Sequence, residues 1–190
     1  VFANLGSDHP GLIEAFARAK VDGREDEFPR LIVCPHETVA LSAAHAYAMV
    51  TGEPQAVIVH VDVGTQNLSG GVSNAMRGRV PVLIFAGAAP FTLEGELPGG
   101  RNEFIHWIQD VRDQRGILRG YVKYDNEIRT GRNVKQIVHR ALQLAGELGR
   151  HLAGRPHVSA GLGQFLTRRF DVHSLLLHRR GAGLERHHSL

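Results

Sequence analysis

The run Ala56 to Val63, AVIVHVDV, limits the fold more than any other stretch. It is β-branched and almost continuously apolar, which reads as a strand covered on both faces, as in a parallel sheet. A parallel strand needs crossover helices, and the chain supplies them. Val1 to Asn4 reads as a short strand. The turn Leu5 to Pro10 follows, with Ser7 or Asp8 able to cap the helix GLIEAFARAK. Leu31 to Cys34 reads as a second, buried strand, and His36 to Val50 as a second helix stopped at Thr51-Gly52-Glu53-Pro54. Val80 to Gly87 is a fourth strand, and Ala88 to Glu103 a long Gly- and Pro-rich loop expected to wrap the carboxyl edge of the sheet. Phe104 to Val111 is expected to form a short helix and Tyr121 to Tyr124 a short strand. Asn133 to Leu148 carries one apolar helical stripe. Strands alternating with helices argue an α/β fold: a doubly wound, mostly parallel sheet with helices on both faces.

Glu37 stands where the second strand hands over to its helix, in LIVCPHETVALSAAHAYA. In open α/β sheets ligands bind at the carboxyl ends of strands, so this carboxylate is a candidate site residue. A carboxyl group in an apolar junction can share a proton with a ring nitrogen, as general acid–base work requires. As a first-turn residue it would also be favoured by the helix dipole alone. After the AVIVHVDV strand, Gly64-Thr65-Gln66-Asn67 and Ser69 to Ala75 read as a glycine-rich turn feeding a helix, which lets backbone amides approach a ligand. The spacing is neither a Walker loop nor the GxGxxG dinucleotide fingerprint.

The charge is unevenly spread. From Gly146 onward seven arginines face three acidic residues, so that segment carries +4 of a total of +3 and residues 1–145 carry −1. The basic balance therefore belongs to the tail, and no nucleic-acid partner is expected for the body. Cys34 is the single cysteine, which excludes an internal disulfide and fits a small core residue in a reducing compartment. No apolar run is long enough to cross a bilayer, so no membrane partner is expected. The start, VFANLGSDHPG, has neither an initiator Met nor a signal-peptide pattern. The chain is thus expected to be clipped there and to act in the cytoplasm, with the mitochondrion as the alternative. The adjacent His187 and His188 do not converge on either regular element, and no metal ligands are assigned.

Five pieces in order, CPHETVALSAAHAYAMVTGEP, VDVGTQNLSGGVSNAMRGRVPVLIFAG, NEFIHWIQDV, YVKYDNEIR and VHRALQLA, carry a resemblance. Over roughly residues 1–145 the chain resembles the N-terminal, pyrimidine-binding domain of thiamine-diphosphate enzymes of the acetolactate synthase and benzoylformate decarboxylase type. That resemblance implies thiamine diphosphate as cofactor. It implies Glu37 as the catalytic residue that hydrogen-bonds N1′ of the aminopyrimidine and favours its imino tautomer. Gly64, Thr65 and Asn74 would lie on the cofactor side, and Gln66, Asn67, Gln109 and His36 on the substrate side. Phe91, Arg101 and Trp107 are candidate pocket or partner contacts. The domain division expected is 1–147 for this unit and 148–190 for a divergent Arg/His-rich tail, disordered or partly helical.

The resemblance also sets limits. The family's closing GPVYL-type strand corresponds here to Gly154-Arg155-Pro156-His157-Val158, and its Gly-Asp-Gly…Asn magnesium motif is missing from this chain. The chain is accordingly expected to be truncated and to supply half a cofactor site without Mg²⁺ ligands. On this reading it is inactive alone and pairs as a homodimer or with a full-length paralogue. A tail this rich in Arg and His without lysine is what a shifted reading frame or retained intron in a GC-rich gene gives. The alternatives are a non-catalytic module that pairs with a full-length homologue, and a gene-model fragment.

Overall fold

The computed structural model describes residues 1–153. Four strands, β1 (Phe2–Ala3), β2 (Ile32–Val33), β3 (Gln55–Val59) and β4 (Val82–Ala86), form one sheet in the order β2-β1-β3-β4, and every pairing is parallel. In register, Phe2 lies beside Ile32 on one side and Val57 on the other. The helices are α1 (Pro10–Val21), α2 (Glu37–Thr51), α3 (Val61–Gln66), α4 (Ser69–Gly78), α5 (Ile105–Ile108), α6 (Gly116–Arg119) and α7 (Val134–Ala153).

The order of the strands decides which helix covers which face. From β1 the chain steps one way to β2, then back across β1 to β3 and on to β4. Right-handed crossovers in opposite directions place α1 on one face and α2 and α4 on the other, which is the doubly wound arrangement. Side-chain alternation agrees. Phe2, Val57 and Val59 join Leu41, Ala40, Ala44, Leu68 and Val72 in one core, while Ala3 and Ile58, one residue out of phase, are buried outside that cluster. Ala15 and Ala19 of α1 are buried as well. The alanines of α2 let it lie close on β1 and β3, and Gly52, at φ 72°, ends it in the left-handed conformation.

Several local expectations are corrected. AVIVHVDV is not strand throughout: β3 stops at Val59, and Val61 to Gln66, including Gly64 to Gln66 of the expected turn, is helix. Composition alone could not show this, because the break is made by Asp8, whose Oδ2 accepts the Val61 N–H (3.2 Å) and turns the backbone. Asp8 is thereby drawn away from capping α1. The N-cap is His9, and no side chain caps that helix. β2 is an edge strand rather than a buried one, and Val33 is 70 % exposed, since the inner neighbour of β1 is β3. Tyr121 to Tyr124 forms no strand. The last helix runs past Glu147 to Ala153. Of the expected tail, 148–190, the part from residue 154 on, with His187 and His188, lies outside the described residues.

Candidate active site

Asn4 and Leu5 follow β1, Cys34 to His36 follow β2, His60 follows β3, and Gly87 follows β4. In a parallel sheet these are all on the carboxyl edge, and the strand order reverses between β1 and β3. Asn4 fastens that edge: its Nδ2 donates to the Cys34 carbonyl (3.0 Å) and its N–H to Ile58 (2.9 Å).

On the β2 side the site is built on Glu37, the first residue of α2 and only 8 % exposed. His36 precedes it as the N-cap, its Nδ1 accepting the Thr38 N–H (3.1 Å) and lying 3.6 Å from Glu37 Oε2. His36 is therefore occupied by the helix start. Asn67 Nδ2 donates to Glu37 Oε2 (3.0 Å), while the Thr38 hydroxyl donates to the Asn67 carbonyl (2.8 Å). Asn67 is thus pinned at two points and holds one carboxylate oxygen. The other, Oε1, faces Gly64, where a Cβ would stand 3.3 Å from it. Among the described residues no protein donor reaches Oε1.

The remaining expected residues divide. Gly64 borders Glu37, and Thr65 is buried behind it, its hydroxyl donating to the Val61 carbonyl (2.7 Å) and accepting from Gln114 (3.1 Å). Gln66 turns aside to Asp62 (3.3 Å), and Asn74 is exposed on α4. Arg101 and Trp107 stack on each other at 4.8 Å, with Arg101 also paired to Asp110 at 2.6 Å, so both fasten the loop. Phe91 carries Arg129 over its ring at 5.0 Å.

Gln109 does not join Glu37 through any hydrogen bond. Its Nε2 lies 3.1 Å from His60 Nε2, and His60 Nδ1 lies 2.6 Å from Asp8 Oδ1. Asp8, with its side chain 7 % exposed, also meets His9 Nδ1 at 2.7 Å. Burial works to raise the Asp8 pKa. The hydrogen bonds from His9 and His60, the charge of His9 and the Val61 N–H outweigh it and hold the carboxyl below its usual value.

Asp8, His9 and His60 bring three metal-ligating atoms within 4.8 Å of one another. Donors around a tetrahedral ion at about 2.0–2.2 Å stand roughly 3.3 Å apart. Contacts of 2.6 and 2.7 Å are hydrogen bonds instead. Neither Asp8 nor His60 stood out in the sequence as chemistry. Their only signal was placement: Asp8 lies in the turn after a short apolar run, and His60 interrupts one.

The family described as thiamine pyrophosphate enzyme, N-terminal TPP binding domain, matches residues 1–117. The chain belongs to that family. The match is to the N-terminal TPP-binding domain of these enzymes, TPP being thiamine diphosphate. The chain is 27% identical to the acetolactate synthase of Bacillus subtilis (strain 168) over 135 residues, which is 71% of this chain and 22% of that protein. It is 30% identical to 2-hydroxyacyl-CoA lyase 2 of Danio rerio over 116 residues, 61% of this chain and 17% of that one. Among solved structures, the thiamine diphosphate-dependent 4-hydroxybenzoylformate decarboxylase of Rhodococcus jostii RHA1 shares the fold, with a TM-score of 0.55 and 24% identity over 76% of this chain and 24% of its own. The chain spans about a fifth of the length of the curated relatives it matches.

Proposed function

We propose that this domain holds the aminopyrimidine end of thiamine diphosphate, with Glu37 as its proton partner, in an enzyme that acts on 2-oxo acids or related acyl substrates. The observation that supports this most is the half-satisfied carboxylate: Glu37 is buried, Oε2 is taken by Asn67, and Oε1 is left beside a glycine. Among the described residues Oε1 has no protein hydrogen-bond partner, so it is free to share a proton with a ring nitrogen. The absent side chain of Gly64 leaves room for a flat ring beside Oε1. The residues present thus fit the group. When bound, thiamine diphosphate supplies the carbon nucleophile for acyl chemistry.

The chain's own contribution is positioning and one proton. Glu37 holds that proton at Oε1, Asn67 fixes the carboxylate's rotation, and Thr65 keeps the turn of α3 beneath it rigid. Gln66, Asn74 and His36 are proposed to contribute through their segments. Phosphate and Mg²⁺ ligands are proposed to come from another domain, in a second copy or a full-length paralogue. Exposed Val33, Val39, Phe104 and Trp107 support such a contact. In the complete enzyme, Glu37→Gln is expected to lower turnover by about two to four orders of magnitude, with the circular dichroism of the fold unchanged. Unaltered turnover would end the proposal.

A further inference from the structure

Gln114 stands just before α6, half-buried, and its side chain reaches inward to the carboxyl edge of the sheet. Its amide lies 2.7 Å from the Gly87 carbonyl and 3.1 Å from Thr65 Oγ1. A carbonyl oxygen only accepts, so the atom facing Gly87 is Nε2, and its two hydrogens serve two partners. Those partners belong to different parts of the edge. Gly87 follows β4 and donates its N–H to the Val59 carbonyl at the end of β3 (3.0 Å). Thr65 lies on α3, is 2 % exposed, and has its own hydroxyl hydrogen committed to the Val61 carbonyl (2.7 Å). The Gln114 amide supplies the hydrogen that the Thr65 oxygen accepts.

The turn that presents Gln114 is fixed on both sides. Outside, Asp113 accepts from Nη1 and Nη2 of Arg119 at 2.8 Å each and from the Gly116 N–H at 3.0 Å, while Arg115 Nη1 reaches Asp125 at 3.1 Å. Inside, Leu118 of α6 is buried in the core cluster with Leu41 and Val57. Gln114 thus enters from an anchored segment, and its reach sets how far α3 stands from the end of β4. The consequence passes to Glu37 through one residue. Gly64 precedes Thr65, and a Cβ there would stand 3.3 Å from Glu37 Oε1. A displacement of Thr65 carries Gly64 with it and changes the gap beside that oxygen.

We propose that Gln114 is a positioning residue for Glu37: its amide ties α3 to the end of β4 and so sets the gap beside Oε1 in which the proton-sharing ring lies. Gln114 acts through Thr65 and Gly64 and takes no part in the proton transfer. The assignment rests on the proposed function for the identity of the ring; the tie between Thr65 and Gly87 stands without it. Glutamate at this position has the same shape and gives a chemical signature. As a carboxylate it brings no hydrogen and sets an anionic oxygen against the Gly87 carbonyl, whereas once protonated it offers one O–H and restores one of the two bonds. The loss caused by Gln114→Glu is therefore reversed by acid, and the loss caused by Gln114→Leu is not.

The test has two arms. In the 190-residue chain, amide hydrogen exchange followed by NMR is expected to be about tenfold faster at Gly64 and Thr65 in Gln114→Leu than in the parent, with the amides of α7 unmoved. Gln114→Glu is expected to match that variant at about pH 7 and to return toward the parent, compared at equal pH, below about pH 5. Thr65→Val, which removes the acceptor and keeps the shape, is expected to give the same local acceleration and carries the test if Gln114→Leu does not fold. Exchange at Gly64 and Thr65 unmoved in the folded variants overturns the proposal, as does an acceleration that extends equally to α7. In the holoenzyme, Gln114→Leu is expected to lower kcat about 10- to 10²-fold with KM changed far less, and the turnover of Gln114→Glu relative to the parent is expected to rise as pH falls. Full turnover in Gln114→Leu, or a ratio for Gln114→Glu that stays flat with pH, overturns the positioning role. A Glu37→Gln enzyme that keeps full activity sinks the thiamine reading and leaves the exchange result standing, so the two failures are told apart.

Discussion

Glu37 and Asp8 are both carboxylates on the carboxyl edge of the sheet, and their neighbours divide their roles. Glu37 has one amide donor on Oε2 and an open Oε1, whereas Asp8 is enclosed by His9, His60 and the Val61 N–H. Asp8 therefore favours its charged form in the folded chain despite its burial. Its folded pKa lies below the unfolded one, so protonation favours unfolding. The stabilisation it gives is fully present above about pH 4 and is lost as pH falls through the depressed folded value. Acid titrations of stability followed by circular dichroism should show a shallower acid limb in Asp8→Asn than in the parent chain. Superimposable acid limbs would mean that Asp8 is not the group being titrated.

At the scale of elements, α2 is the beam on which the site is mounted. It starts at Glu37, crosses β1 and β3, and receives α4 against its flank. The contact is close because of Gly71, where a Cβ would stand 2.5 Å from Leu41 Cδ2, and Leu41 is fully buried and has nowhere to move. Gly71→Ala is expected to destabilise the chain by about 1–3 kcal/mol in denaturant melts, as overpacking does. Leu41→Ala is expected to cost more, about 2–5 kcal/mol. A neutral Gly71→Ala would show that α2 and α4 can slide apart. The C-terminal end of α2 is held by α7, whose Gly149 packs against the Gly52 carbonyl. Both ends of α2 are thereby fixed, one by Asn67 and one by α7.

For the whole molecule, a chain covering about a fifth of its curated relatives is proposed to supply one half of a cofactor site. Calorimetry on the 190-residue chain is expected to show weak or no Mg²⁺-dependent thiamine diphosphate binding, and tight binding would contradict the half-site reading. Much of this was legible in the residues. Strand and helix alternation is a local property of apolar periodicity, so the α/β class, α2 and α7 follow from the sequence, as does Glu37 at its strand-to-helix junction. The edge position of β2 did not follow, because an apolar four-residue run reads the same at the edge and in the centre of a sheet. The early end of β3 did not either, since Val61 is turned into α3 by a carboxylate 53 residues away. The Asp8–His60–Gln109 chain joins residues separated by 52 and 49 positions. No local pattern records such a meeting. Sequence by itself determined the alternation of strands and helices, the helices α2 and α7, and where one carboxylate is delivered. Only the tertiary structure decided that the turns after β1 and β3 bring a second carboxylate and an imidazole within hydrogen-bonding distance, because the order of strands in a sheet is a property of the packed whole.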